Sequence, residues 1–498
     1  MCGHPTSACN TLNLQPSLAL KNLSLPDFRN SRIGVFEIDA SGGICARPAS
    51  TVEHDWFLFT PTGTLFHPDF FGIVGNAMAE RPDVSIFYFD QAAGDSQQQR
   101  VVLKPAWDRT LFLVQDYVGL PLLVRAAALS KLGGLDAGCG SASAFDLVLR
   151  AHDAGLAIER IEQILSFGPI ARSSASDRRR VLEHWVADTR APYAIEEGLT
   201  ADTLKMSRLF TEHPHITLVV PTRQGTDGAS GMPFIRMLLD SIATSDYPMS
   251  KLTVIVGDDE PDGSSYAAAQ WPFKLIRVVT ERASGEMFNY AAKMNRLWRT
   301  ATTEHLVLMN DDITIQDGAW LQSLLAYSLQ DDVGGVGARL LYPNGRIQHA
   351  GMAGGVYGLC THAWINETPD RPTYEDWAVT PKEWSMVTGA VFATRKSVLE
   401  EMNGFDEQFT LDFNDVDLCM RMRMSGYRIV YTPHATLIHH EKGSRGAATW
   451  PGSQLALFLE RWEALLSHDP AFNAKLNRNT HVIQLGPDIE RWWPAKSN

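Results

Sequence analysis

The chain alternates short apolar runs with amphipathic stretches, and most of the runs stop at proline, glycine or acidic residues. Trp56–Thr60 (WFLFT), Val84–Phe89 (VSIFYF), Ile216–Val220 (ITLVV), Leu252–Val256 (LTVIV), Leu275–Val279 and Leu306–Met309 are too short for a helix face and suit buried strands. Asp69–Ala79, Ala142–Asp153, Pro233–Thr244 (PFIRMLLDSIAT) and Phe288–Arg299 carry helical spacing instead. Strand, helix, strand in succession predicts βαβ units, and so parallel pairing with right-handed crossovers. Arg428–Tyr431 reads as a later strand. Gly452–His468 reads as an amphipathic helix with Leu455, Phe458, Trp462 and Leu465 on one face.

Where the strands end decides the chemistry. Leu306–Met309, inside HLVLMNDDITI (His305–Ile315), runs directly into Asn310, Asp311 and Asp312. Adjacent carboxylates at a buried strand end repel each other unless a cation lies between them. On this stretch alone, a polar turn closing the strand is an equal reading. Leu252–Val256 ends likewise in Gly257, Asp258 and Asp259. In open α/β sheets ligands bind beyond the carboxyl ends of the strands. Two acidic strand ends on one edge suit a nucleotide, with Asp258 accepting from a base or ribose hydroxyl and Asp312 holding a divalent cation on the diphosphate. Leu411–Arg423 (LDFNDVDLCMRMR) brings Asp412, Asp415 and Asp417 to the start of a helix, where capping is the plainer role. His439, His440 and Glu441 follow a strand, and downstream of an acidic strand end the histidine pair is expected to ligate. In the first half the comparable strand ends in Pro61-Thr62-Gly63, which cannot hold a cation. The glycine-rich stretch Gly225–Gly231 lacks a GKS or GKT ending and reads as a surface loop.

At 498 residues the chain suits two or three domains, and 45% hydrophobic with 20% charged residues fits a globular protein with ample core. A formal charge of −13 argues against nucleic acid as a partner. The six cysteines form no CxxC pair and read as reduced thiols. No run nears the roughly 18 apolar residues of a membrane span, and the first residues lack the order of a signal peptide. A cytoplasmic protein is expected, with peripheral association at the inner face of the membrane as the open alternative. The expected organisation is a flexible tail over 1–30, an α/β domain over 31–170, a helical linker over 171–213, a second α/β domain over 214–447 and a helical extension over 448–498. The basic run Arg178-Arg179-Arg180 reads as a solvated helix face rather than an anion site. The polar face of Gly452–His468 is short of the lysines and arginines of membrane-surface helices, so packing against the second domain is expected.

Taken together, these pieces resemble bacterial inverting glycosyltransferases of family 2. The resemblance rests on VVPTR (Val219–Arg223), the acidic end at Asp258, MFNYAAKMN (Met287–Asn295) and LMNDDI (Leu308–Ile313). It continues through VGGVGARLLYPNGRIQHAGM (Val333–Met352), TGAVF (Thr388–Phe392), NGFDEQF (Asn403–Phe409), FNDVDLCMRMRMSGYR (Phe413–Arg428) and IHHEKGSRG (Ile438–Gly446). It implies a GT-A fold with a mixed, mainly parallel sheet, preceded by a degenerate GT-A-like copy. That copy is marked by KPAWDRTLFLVQDYVG (Lys104–Gly119), the Gly133-Gly134 pair and FDLVLR (Phe145–Arg150), with Ala144 where the catalytic acid would stand. Tandem proteins of this kind are associated with O-antigen and other surface-polysaccharide assembly.

The resemblance also implies roles. Pro221, Thr222, Arg223, Asp258, Asn289, Asn310, Asp311, Gly389 and Ala390 would bind the nucleotide or donor. Asp312 and His439 would ligate Mn²⁺ or Mg²⁺, with His440 the alternative ligand, and Asp415 would be the general base. Asn310 departs from the family's DxD motif, and Asn414 stands where many relatives have Glu. The implied partners are a UDP-, dTDP- or GDP-sugar and a glycan or lipid-linked acceptor. Two rival readings are a non-catalytic glycan-binding scaffold and a sugar-1-phosphate nucleotidyltransferase. The latter would need a basic glycine-rich loop after Ile216–Val220, where Pro221–Gly225 offers one arginine and no lysine.

Overall fold

The computed structural model describes residues 11–12, 32–39, 43–46, 54–94, 99–260, 263, 265–280, 287–440 and 452–489. The expected tail over 1–30 (apart from 11–12) and the stretch Glu441–Gly446 lie outside the described residues. The chain forms two compact units. Unit 1 is Met1–Lys205 with Phe472–Asn477 and Gln484–Asn498, and unit 2 is Met206–Ala471 with Arg478–Ile483.

The strands of unit 1 include β1 (Ile33–Ile38), β2 (Trp56–Pro61), β3 (Leu65–Phe66), β4 (Val84–Gly94), β5 (Leu122–Arg125) and β6 (Ala157–Phe167). They lie in the order β1-β2-β5-β4-β6-β3. The pairs β1/β2 and β4/β6 are parallel, while β2/β5, β5/β4 and β6/β3 are antiparallel. Helices α1 (Phe70–Glu80), α2 (Ala126–Leu132), α3 (Ser143–Asp153) and α4 (Ala175–Thr189) accompany the sheet. Leu58, Phe66, Phe70, Val74, Phe87 and Phe89 form part of the core.

Unit 2 contains β7 (Ile216–Thr222), α5 (Phe234–Ile242), β8 (Leu252–Asp258), β9 (Lys274–Val279), α6 (Tyr290–Trp298), β10 (His305–Met309), β11 (Ile313–Ile315) and α7 (Trp320–Ser328). After these come β12 (Val333–Leu341), β13 (Ile347–His349), β14 (Val391–Arg395), α8 (Lys396–Glu401), α9 (Asn414–Met424), β15 (Arg428–His439) and α10 (Gly452–Ser467). The sheet order is β9-β8-β7-β10-β14-β12-β15-β11. Strands β9, β8, β7 and β10 run parallel, as the βαβ reading requires. Beyond β10 the pairs β10/β14, β14/β12 and β15/β11 are antiparallel and only β12/β15 is parallel. The sheet is thus mixed, as GT-A implies, but mainly parallel only in its first half. Strand direction after β10 depends on reverse connections that leave no mark on hydrophobic pattern. From β7 onward, the succession β7-β10-β14-β12-β15-β11 repeats the order and pair directions of β1-β2-β5-β4-β6-β3 in unit 1.

The units divide differently from the expected boundaries. Helix α4, expected within a linker, lies in unit 1, and α10, expected in an extension, lies in unit 2. The reason is burial of single faces. Leu182 and Arg178 of α4 are buried, the guanidinium donating to Ser173 O and Oγ at 2.9 and 3.2 Å. Arg178 is therefore no part of a solvated face. In α10 the buried residues are Phe458, Trp462 and Leu466. No helix among the described residues is long and apolar enough to cross a membrane.

Candidate active site

Three strand ends and one helix start converge on the same edge of the unit 2 sheet. Pro221 and Thr222 close β7 in register with Gly257 and Asp258 of β8. Met309 closes β10 opposite Val391 of β14, and the next backbone step continues the pairing, with Asn310 N donating to Ala390 O at 3.0 Å. Gly389 N in turn donates to Asp415 Oδ2 at 2.7 Å. Asn310–Asp312 and Asp415 are thereby tied to neighbouring residues across one antiparallel pair.

Asp415 sits in the first turn of α9, where the helix dipole favours a carboxylate. The helix is entered through Phe413, a buried residue in the left-handed region (φ 65°), whose ring stacks on Phe458 of α10 at 4.5 Å. Two residues on, Asp417 is fully buried and accepts from Arg421 Nε and Arg461 Nη1 at 2.8 Å each and from Trp462 Nε1 at 3.0 Å. Asp417 anchors the helix; Asp415 is half-exposed and faces Gly389.

Asp258 is fully buried, and its two oxygens receive Gln224 Nε2 (3.0 Å), the Tyr266 hydroxyl (2.7 Å), Arg277 Nε (3.3 Å) and Glu260 N (3.0 Å). As placed here it organises the wall beyond β8 rather than offering a free oxygen. Thr222 donates from its hydroxyl to Asp311 Oδ2 at 2.6 Å. Lys293 of α6, buried among these acids, donates to Asp259 Oδ1 at 2.6 Å and to Thr222 O at 2.8 Å. Burial pushes the Asp311 carboxyl up to about 6; the neighbouring Asp312 charge adds to this, while Thr222 and Lys293 oppose it. Asn289 caps α6, accepting from Ala292 N at 2.9 Å and donating to Glu407 O at 2.8 Å. Arg223 is exposed, its guanidinium 5.3 Å over the Phe288 ring.

His439 ends β15, in register with Ile313 of β11. Its Nε2 lies 3.0 Å from Asp312 Oδ1, and its Nδ1 lies 2.8 Å from Gln348 Oε1. Asp312 Oδ1 is buried yet accepts no hydrogen bond. The neighbouring His440 turns to Thr314, with Nε2 2.9 Å from the hydroxyl, so only its backbone, through N to Asp312 O at 2.8 Å, meets Asp312. Two ligands each about 2.1 Å from an octahedral cation lie about 3 Å from each other, so the Asp312–His439 spacing and the unsatisfied oxygen fit a divalent ion. Among the described residues no group of three or more His, Cys, Asp or Glu side chains forms a cation site by itself.

Lys293, Gln224 and Gln348 were not singled out by sequence pattern. Lys293 lies inside the Met287–Asn295 motif and Gln348 inside Val333–Met352, but neither spacing nor composition marks either side chain as inward-facing.

Residues 213–451 match the profile of the family described as glycosyltransferase like family 2. The O-antigen biosynthesis protein RfbC of Myxococcus xanthus is 28% identical over 470 residues, covering 90% of this chain but 36% of that protein. The chain thus spans little more than a third of that relative's length. The N-acetylglucosaminyl-diphospho-decaprenol L-rhamnosyltransferase of Mycobacterium tuberculosis is 25% identical over 283 residues, covering 53% of this chain and 83% of that one. Among solved structures, a mannosyltransferase from Pyrobaculum calidifontis in complex with GDP-Man and Mn²⁺ aligns with a TM-score of 0.36 at 21% identity, over 59% of this chain and 79% of that one.

Proposed function

From the match of residues 213–451 to glycosyltransferase family 2, we propose that this chain is a metal-dependent, inverting sugar transferase of surface-polysaccharide assembly. The donor is a nucleotide-diphosphate sugar, and the acceptor is a hydroxyl on a glycan or lipid-linked glycan. The observation that carries this reading is the pairing of an unsatisfied Asp312 oxygen facing His439 with a separate carboxylate, Asp415, held on the same strand-end edge.

Asp312 and His439 would hold a divalent cation, which when bound neutralises charge growing on the leaving diphosphate. The chain's own residues do the rest. Asp415, oriented by Gly389 N–H, accepts the proton of the acceptor hydroxyl as its oxygen attacks the anomeric carbon. The bond to the diphosphate breaks on the opposite face, and a single displacement inverts the anomeric centre. Thr222 and Lys293 hold Asp311 and Asp259 in place at the strand-end edge. The nucleotidyltransferase reading is disfavoured because Lys293, a buried cation near β7, is already paired with Asp259. A panel of sugar nucleotides, assayed for release of nucleoside diphosphate, tests the proposal. General-base catalysis contributes about 100- to 10,000-fold, so Asp415→Asn is expected to fold normally and lose transfer by at least that lower figure. Near-native turnover would remove Asp415 from the role. Asp312→Ala is expected to abolish Mn²⁺-dependent donor binding in calorimetry, and unchanged metal dependence would defeat the assignment.

Unit 1 is read as a copy of the same domain without its chemistry. In unit 2 Arg421 of α9 pairs with Asp417 and donates to Met402 O and Gly404 O at 2.7 and 2.8 Å. In unit 1 Arg150 of α3 pairs with Asp146 and donates to Leu132 O and Gly134 O, the latter at 2.9 Å. With Asp146 matched to Asp417, Ala144 falls on Asp415, and β2 ends at Pro61 and leads to Thr62 and Gly63 where β10 leads to Asp312. Unit 1 would position an acceptor or a partner, so the Asp415→Asn chain should retain no transfer attributable to unit 1.

A further inference from the structure

We propose that Gln348 is the positioning residue of the cation site, fixing both the ring of His439 and the nitrogen that carries its proton so that Nε2 is left as the ligand atom. The inference rests on the cation reading above. An amide oxygen only accepts hydrogen bonds, so Nδ1 of His439, 2.8 Å from Gln348 Oε1, carries the proton. Neutral imidazole has one ring proton, and Nε2 therefore presents a lone pair. That nitrogen lies 3.0 Å from Asp312 Oδ1, and the two form no hydrogen bond. Two electron-rich atoms held in contact repel each other unless a cation lies between them. With the amide turned the other way, its NH2 would donate to Nδ1, and Nε2 would carry the proton and be lost as a ligand.

The backbone is built to aim Gln348. Across β12 and β13, Leu340 pairs with His349 and Leu341 with Ile347, so Gln348 is the extra residue of a β-bulge. A bulged residue leaves the ladder and redirects its side chain, and such bulges gather beside functional sites. Gln348 and His439 are both buried, at 5% and 7% exposure, so water does not compete for their bond. The neighbouring His349 is committed elsewhere, its Nε2 accepting from Gly351 N at 3.3 Å and its Nδ1 meeting His362 Nδ1 at 3.1 Å. Outer partners of ligating histidines commonly set metal affinity by about 10- to 100-fold.

The test titrates Mn²⁺ alone into the full chain and counts the free ion by electron paramagnetic resonance. Gln348→Leu, which removes the acceptor at similar volume, is expected to weaken binding by about 10- to 100-fold. Gln348→Glu, which can only accept from Nδ1, is expected to restore it, a rescue that a purely structural role would not give. Long-range ¹H–¹⁵N spectra of His439 are expected to show Nε2 unprotonated in the native chain. Asp312→Ala supplies the reference by removing the site. If Asp312→Ala abolishes binding while Gln348→Leu leaves it native, Gln348 has no such role and the cation reading stands. Loss in Gln348→Glu as deep as in Gln348→Leu, or a protonated Nε2, also overturns the inference. If Asp312→Ala binds like the native chain, the cation reading falls and takes the inference with it.

Discussion

Single residues set the spacing of the site, and two of them make the case most directly. A methyl group added at Gly389 would approach Asp415 Cβ to 3.1 Å, closer than side chains ordinarily pack. Gly389→Ala should therefore push Asp415 off its place by a few tenths of an ångström without disturbing the core. The expected result is a fall in kcat on the order of tenfold, below the roughly 100-fold cost of a 1 Å misplacement, with the thermal midpoint nearly unchanged. Nucleoside diphosphate release and calorimetry on the same sample check both halves. Lys293 gives the opposite pattern. Removing one partner of a buried ion pair costs about 3–5 kcal/mol, so Lys293→Met should appear as lost stability in urea unfolding. The two cases differ in legibility. Acidic residues after an apolar run announce a strand end with chemistry, which is why Asp258, Asp311 and Asp312 could be read from the chain. A lysine in an amphipathic helix looks like solvent-facing decoration, and the acids Lys293 meets come from distant segments. Asp258 shows the limit from the other side. Its place at the end of β8 was legible, but its partners Gln224, Tyr266 and Arg277 lie on three different segments.

Elements carry these residues, and the brace of α9 by α10 is the clearest instance. Phe458 stacks on Phe413 at the left-handed entry to α9, and Trp462 and Arg461 hold Asp417 from the same helix. Phe458→Ala should cost about 3–5 kcal/mol in stability and also lower kcat, because the first turn of α9 loses its support. Turnover of the folded fraction, measured below the melting transition, separates the two effects. The apolar stripe of α10 was predictable from helical spacing, although burial settles on Phe458, Trp462 and Leu466 and leaves Leu455 and Leu465 half-covered. The sequence reading of β15 stops at Tyr431, while the strand runs to His439. The chain passes Pro433 in an irregularity, where Ala338 pairs with Thr432 and Arg339 with Thr436, and then resumes as far as His439. In unit 1, Ser141 and Arg180 hold the Asp177 carboxyl down at about 2 near the start of α4. A depressed carboxyl contributes stability that is present above the ordinary carboxylate range and lost as pH falls through its folded value. Thermal midpoints should drop between about pH 4 and pH 2, and Asp177→Asn should flatten that slope.

Over the whole molecule, the chain order and the spatial units do not coincide. Asp90, fully buried in β4, is met by Asn473 Nδ2 at 3.0 Å and lies 3.5 Å from Lys475 Nζ, both on the returning segment Phe472–Asn477. Burial raises the Asp90 carboxyl, and Arg160 and Lys475 oppose that rise. Lys475→Met leaves Asp90 without its ammonium and should destabilise unit 1 by about 3–5 kcal/mol. Hydrogen exchange should quicken in β4 and β6 while β7 and β10 stay protected. No hydrophobic pattern reveals this return, because the contact is between polar groups separated by most of the sequence. It has a consequence for biogenesis. Translation makes most of unit 1 before unit 2, yet its buried aspartate waits for residues made only after α10. Unit 1 is begun before unit 2 and completed after most of it, and a nascent chain stalled short of Phe472 would hold an ionisable group in a half-closed interior, a ready target for chaperones and proteases.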